Sequence, residues 1–341
     1  MKSYRFLFLS IILACLTFFF TSCGKTSHVR VIKLASSLSP SAPVTKAFRY
    51  MNKKLQKKSN GTMRIKIYPS GQLGSEREAL ELLQIGSVGM TKVSAAALES
   101  FDPAFKAVDM PYIFKNKKQR FRVLNGKIGK DLLKSTTQYL MHGLCYYDAG
   151  SRSFYGTGKP VRKPSDLKGK KIRVQNSNIA VQMIQQLGGS ATPIPFGSLY
   201  SALQQGVVDA AENNPPSLYL SHQYEVVNYY SLDKHTSVPD VLLVSTTLWK
   251  QLTPQQQQWL QESANESAKY EKKVWAKTTK KALKKIKQSG VKIIHPDISL
   301  FRKKVQPMYK RYKSNYPKVY KRIQKIKQFQ NENSSAQHDS L

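Results

Sequence analysis

The segment Lys170-Lys171-Ile172-Arg173-Val174 puts a guanidinium inside an alternating, strand-like run, and Val208-Asp209-Ala210-Ala211-Glu212-Asn213 follows a helix and a strand later. Arginine offers a planar fork that grips a carboxylate through two parallel hydrogen bonds. An arginine on a strand end, with a Glu-Asn pair on a nearby strand, therefore suits recognition of an organic anion. Arrangements for bond-making chemistry are missing. His28, His142, His222, His235, His295 and His338 lack metal-ligand spacing, and neither a Gly-x-Ser-x-Gly elbow nor a Cys-x-x-Cys pair occurs. Gly156-Thr157-Gly158-Lys159-Pro160 fails as a phosphate loop, because proline stands where the hydroxyl is needed. No catalytic residue, metal or cofactor is expected.

The elements around these residues read as α/β. Residues 29–34 and 63–68 alternate as strands, and between them Val44, Phe48, Met51 and Leu55 repeat at helical spacing. Ser75 and Glu78 form a capping signature for a helix over 76–85. A second series begins near Gly150, with strands at 153–155, around Arg173, at 191–194 and at 207–211, and helices at 179–187 and 198–205. This pace predicts largely parallel sheets. Thr253-Pro254 opens a helix that meets no glycine or proline until Gly290, long enough to span two lobes.

The chain has 341 residues, and its N-terminus reads as a targeting segment. Lys2 and Arg5 precede an apolar run over 6–20, too short for a membrane span, and Thr21-Ser22-Cys23-Gly24 follows. Small residues before a cysteine resemble a lipobox, which makes 1–22 a lipoprotein signal peptide and Cys23 the lipid anchor. Cys145 sits in an apolar strand as a core hydrophobe. The formal net charge is +35, and residues 269–327 carry twenty-one Lys/Arg against Glu271 and Asp297. Such a field attracts anionic partners; export argues against nucleic acid. Tyr309, Tyr312, Tyr316 and Tyr320 read as helix packing rather than base stacking.

Four segments in order carry a family resemblance: residues 61–74 (GTMRIKIYPSGQLG), 109–114 (DMPYIF), 166–174 (DLKGKKIRV) and 206–213 (GVVDAAEN). Together they resemble the DctP-type solute-binding proteins of TRAP (tripartite ATP-independent periplasmic) transporters, over about 29–316. The resemblance implies a two-lobed, type II-like periplasmic binding protein fold with a lobe-spanning helix. It places the first lobe at 27–149 plus 238–278, the second at 150–237 plus 279–330, and a disordered tail at 331–341.

It also implies a monomeric, non-enzymatic periplasmic receptor that hands a small organic acid to the small and large membrane subunits of a permease. Arg173 matches the family's carboxylate-binding arginine and Arg152 a second ligand-facing one. Phe196, Asn213, Asn176 and Ser36 match cleft positions, while Glu212 orients its neighbours. Ser94-Ala95-Ala96-Ala97 lacks the acid and arginine of sialic-acid binders, so the expected ligand is a dicarboxylate, an oxo or hydroxy acid, or a uronate. Sequence alone leaves open an exported enzyme acting on an acidic substrate, or a surface polyanion-binding lipoprotein.

Overall fold

The structure is a computed structural model that describes residues 29–335. The expected signal peptide, Cys23 and residues 336–341 lie outside the described residues. Strands β1 (Arg30–Ala35), β2 (Met63–Tyr68), β3 (Met90–Ser94) and β4 (Met141–Tyr147) come first. Next are β5 (Arg152–Gly156), β6 (Lys171–Val174), β7 (Ser190–Pro193), β8 (Ala210–Asn213) and β9 (Tyr229–Thr236). The chain returns through β10 (Asp240–Ser245) before β11 (Lys292–Ile294). Two sheets result, ordered β2-β1-β3-β10-β4 and β11-β9-β5-β8-β6-β7, one in each lobe.

Both sheets are mixed rather than largely parallel. β10 runs antiparallel to β3 and β4, and β5 antiparallel to β8 and β9. The reason is topological: β5 and β10 are the strands by which the chain enters one lobe from the other, and each arrives against the βα direction.

Local signals position the lobes as the periodicity predicts. Val44, Phe48, Met51 and Leu55 are fully buried on the helix Pro43–Lys58. Ser75 and Glu78 close a reciprocal capping box on Glu76–Gln84. Thr253 and Gln256 form another at the start of the 35-residue helix Pro254–Gln288. Leu260, Ala264 and Ala268 of that helix pack into the core of the first lobe, Ala282 and Ile286 into that of the second. Cys145 is buried, and burial pushes its thiol up to about 12, which keeps it inert.

The β4–β5 crossing is pinned to the long helix. Gly150 turns there at φ +64°, where an added Cβ would lie 3.1 Å from Trp275 Nε1. Arg120 donates to Gly150 O and pairs with Asp148, while Glu271 accepts from Asp148 N at 3.0 Å.

The C-terminal helices depart from the expected division. Ile298–Asn315 packs on Asn178–Leu187 in the second lobe, but Pro317–Ser335 crosses back to Lys106–Asp109 and Lys117–Asn125 in the first. Pro317 stops the preceding helix and lets the chain turn, after which Ile323 and Ile326 bury beside Val108 and Val123. Helix also continues through Ser335, so the expected disorder from 331 is not found over those first residues. Tyr309 and Tyr312 are buried, as helix packing predicts, and Tyr309 donates to Pro111 O; Tyr320 is half-buried and Tyr316 is exposed.

Candidate functional site

Arg173 lies on β6, between β7 and β8. Side chains alternate across a strand, so Ile172 and Val174 enter the core and Arg173 faces the other way. Its Nε donates to Ile194 O at 2.8 Å, which fixes the plane of the fork. The residue is 2% exposed, and Nη1 has no partner among the described residues. Burial, then the nearby Arg152 charge, lowers it to about 10, so it remains a cation at neutral pH. A buried unpaired guanidinium N–H carries its full desolvation cost until something fills it.

Arg152, at the start of β5, lines the same cleft but is not a free fork. Its Nε and Nη2 pair with the Glu212 carboxylate, Nη2 also reaches Glu212 O at 2.7 Å, and Nη1 donates to Asn213 Oδ1 at 2.9 Å. Arg152 thus faces the cleft, as expected of a second arginine there, with its charge already balanced by Glu212. Behind the pair, His235 stands between Asp233 (2.7 Å) and Glu212 (3.3 Å). Burial would strip His235 of its proton, but the two acids outweigh this and raise it to about 9. Burial likewise works to raise Glu212, and Arg152 and His235 prevail to hold it at about 2. Asn213 Oδ1 also accepts from Asn214 N and Nδ2, which leaves its own amide as a donor.

The opposite wall comes from the first lobe and was missed in the sequence. Lys92, 2% exposed on β3, bridges Glu76 Oε1 and Asp240 Oδ2, each at 3.1 Å. Glu76 is the first residue of its helix and also accepts from Ser94 N. Lys92 is shared between the two acids, and burial raises Asp240. The available signal was a lysine inside the apolar strand Met90-Thr91-Lys92-Val93-Ser94, where a charge is tolerated only when paired.

These groups surround a cleft with two connected chambers. The outer one, about 650 Å³, includes Arg173, Phe196 and Asn176; the inner one, about 260 Å³, includes Arg173, Arg152 and Asn213. Phe196 and Gln175 line both, while Asn176 is confined to the exposed outer wall. Ser36 is a correction: it is buried outside both chambers, its Oγ accepting from Leu38 N, and Ser37 lines the cleft instead. Backbone bonds from Ser36 N to Tyr68 O and from Gly71 N to Ser36 O hold it in the loop. Each other cation lining the chambers has an acid partner: Arg77 with Glu81, Lys92 with Glu76 and Asp240, Arg152 with Glu212. For Arg173 no ion pair exists among the described residues, so it supplies the uncompensated positive charge.

Just outside the cleft the lobes meet through acids. Glu99 accepts from Ile179 N, and Asp109 accepts from Ser177 Oγ at 2.8 Å. Burial, then the Asp109 charge, pushes Glu99 up to about 8, and burial raises Asp109 as well. A carboxyl raised on folding binds more protons in the native state, so stability is fullest below about 4.5 and falls as pH rises through about 8. Urea midpoints should fall from pH 5 to pH 8, and Glu99→Gln should flatten that slope. His235 adds a decline from 6.5 towards about 9, which the variant retains. An unchanged slope in Glu99→Gln would rule out this assignment.

Comparison with known proteins places the frame. Residues 34–315 match the family model for bacterial extracellular solute-binding proteins, family 7 (DctP). The chain is 36% identical over 333 residues to YiiZ of Salmonella typhimurium, covering 97% of this chain and 100% of that one. It is similar to the TRAP periplasmic solute-binding protein of Xanthobacter autotrophicus, solved with β-D-galacturonate, at TM-score 0.84 and 36% identity over 87% of this chain and 99% of that one. The Chromohalobacter salexigens counterpart, solved with D-glucuronate, gives TM-score 0.85 and 32% identity at the same coverages. The two-lobed α/β fold, the long helix and the match over most of the chain agree: this chain belongs to the DctP family of TRAP solute-binding proteins, which are periplasmic binding proteins rather than enzymes.

Proposed function

We propose that this receptor captures a hexuronate and delivers it to the small and large membrane subunits of a TRAP permease. The observation that carries the reading is the unfilled Nη1 of buried Arg173, pointing to a carboxylate as its partner. The facing wall selects what else the ligand carries. Glu76 and Asp240 are hydroxyl acceptors, and the Asn213 amide is a donor, so a polyhydroxylated monoanion fits. A second carboxylate would face Glu76 and Asp240, whose one cation, Lys92, is already taken up by both, and like-charge juxtaposition costs several kcal/mol. The uronates held by two similar receptors support the same class.

On this reading Arg152 and Asn213 brace the carboxylate end, Phe196 and Gln175 cover the ring, and Asn176 touches ligand only after the lobes close. Closure excludes water and strengthens the Arg173 pair. The receptor works as a monomer held to the membrane by Cys23. Among the described residues no helix is long and apolar enough to cross a membrane. Calorimetry with D-glucuronate, D-galacturonate and succinate tests the class. The uronates should bind at least about tenfold more tightly than succinate; equal affinity for succinate would refute the assignment.

A further inference from the structure

The second half of the helix Pro254–Gln288 carries Lys273, Lys277, Lys280, Lys284 and Lys287, spaced four, three, four and three residues apart and all exposed. This spacing aligns them in one stripe about 20 Å long. The buried residues Glu271, Trp275, Ala282 and Ile286 occupy the opposite side. The acids of the helix do not neutralise the stripe. Glu262 and Glu266 pair with Lys54 and Lys58 near the other end, and Glu271 is buried. Among the described residues no ion pair engages the five lysines. None of them lines the cleft, so they are not part of the ligand site.

Like charges at i, i+4 destabilise a helix, and alternating glutamate with lysine would solvate the face without that cost. We infer that the stripe Lys273–Lys277–Lys280–Lys284–Lys287 is a docking surface for an anionic lipid bilayer. A ridge on one helix has no groove to shape a particular polyanion. Its charges are all lysine, compact point charges that need no fixed anion geometry, whereas arginine would favour bidentate recognition. Lipid phosphates spread over a plane match such a ridge, with each lysine near an anionic leaflet adding to the attraction. The family works with permease subunits that sit in a bilayer.

Co-sedimentation with vesicles tests this in the full chain. Wild type should pellet with phosphatidylcholine–phosphatidylglycerol vesicles well beyond any binding to phosphatidylcholine alone, and high salt should remove the difference. Changing all five lysines to glutamine should weaken the anionic-vesicle component by at least about tenfold while uronate affinity stays unchanged. The K280Q/K284Q variant should lose an intermediate amount, which keeps the test decisive if the larger variant folds poorly. Undiminished binding by both variants would overturn the inference. Retention on soluble heparin at least as tight as on the anionic vesicles would also overturn it, in favour of a soluble polyanion.

Discussion

Arg173→Met removes uronate binding, to an extent calorimetry reads directly. Truncating one partner of a desolvated charge pair costs about 2–5 kcal/mol, or roughly thirty- to several-thousand-fold in affinity. The upper part of that range applies, because the other cations of the cleft are already paired and none can substitute. Arg173→Lys retains charge but loses the fork and its fixed plane against Ile194 O, so it should weaken binding less than methionine does. The unliganded variant supplies the control. Arg173 is a buried cation with an unfilled N–H, so methionine there should unfold at no lower urea concentration than wild type. Normal affinity in Arg173→Met would end the carboxylate-anchor reading.

The largest stability loss is expected at Glu212, which pairs with Arg152 rather than lining the cleft. Glu212→Ala strands Arg152 as a buried cation without its counter-charge and leaves His235 with Asp233 alone. Breaking a buried pair from one side costs about 3–5 kcal/mol. Glu212→Gln preserves shape and one acceptor and should cost less. The folded carboxylate is held at about 2 against an ordinary 4.5, so its stabilisation is present above pH 4.5 and is lost as pH falls through about 2. Urea unfolding at neutral pH measures the effect, and a loss below about 1 kcal/mol in Glu212→Ala would contradict the network described here.

What could be read from the sequence was what neighbours along the chain decide. Ser75 and Glu78 lie three residues apart, Thr253 and Pro254 are adjacent, and Arg173 belongs to a short alternating run. Each signal needs only one element to be interpreted. Glu76, Lys92 and Asp240 meet only after β10 inserts beside β3, a long-range pairing without a local cue. Ser36 and Ser37 show a finer failure. Both are small and polar, and the bonds from Ser36 N to Tyr68 O and from Gly71 N to Ser36 O, distant in sequence, hold Ser36 away from the cleft. Pro317 ends one helix but does not set the direction of the next. That direction came from Ile323 and Ile326 finding Val108 and Val123.

The crossings of the chain also set an order of assembly. The first sheet lacks the strand between β3 and β4 until Asp240–Ser245 has been made, and the helix that covers Val108 and Val123 is the last to emerge. The first lobe therefore cannot mature ahead of the second, and neither can be cut out as a contiguous fragment. Contacts this distant in sequence slow folding, because loop closure precedes the contacts that reward it. A chain built this way can complete its first lobe only once the helix Pro317–Ser335 has been made.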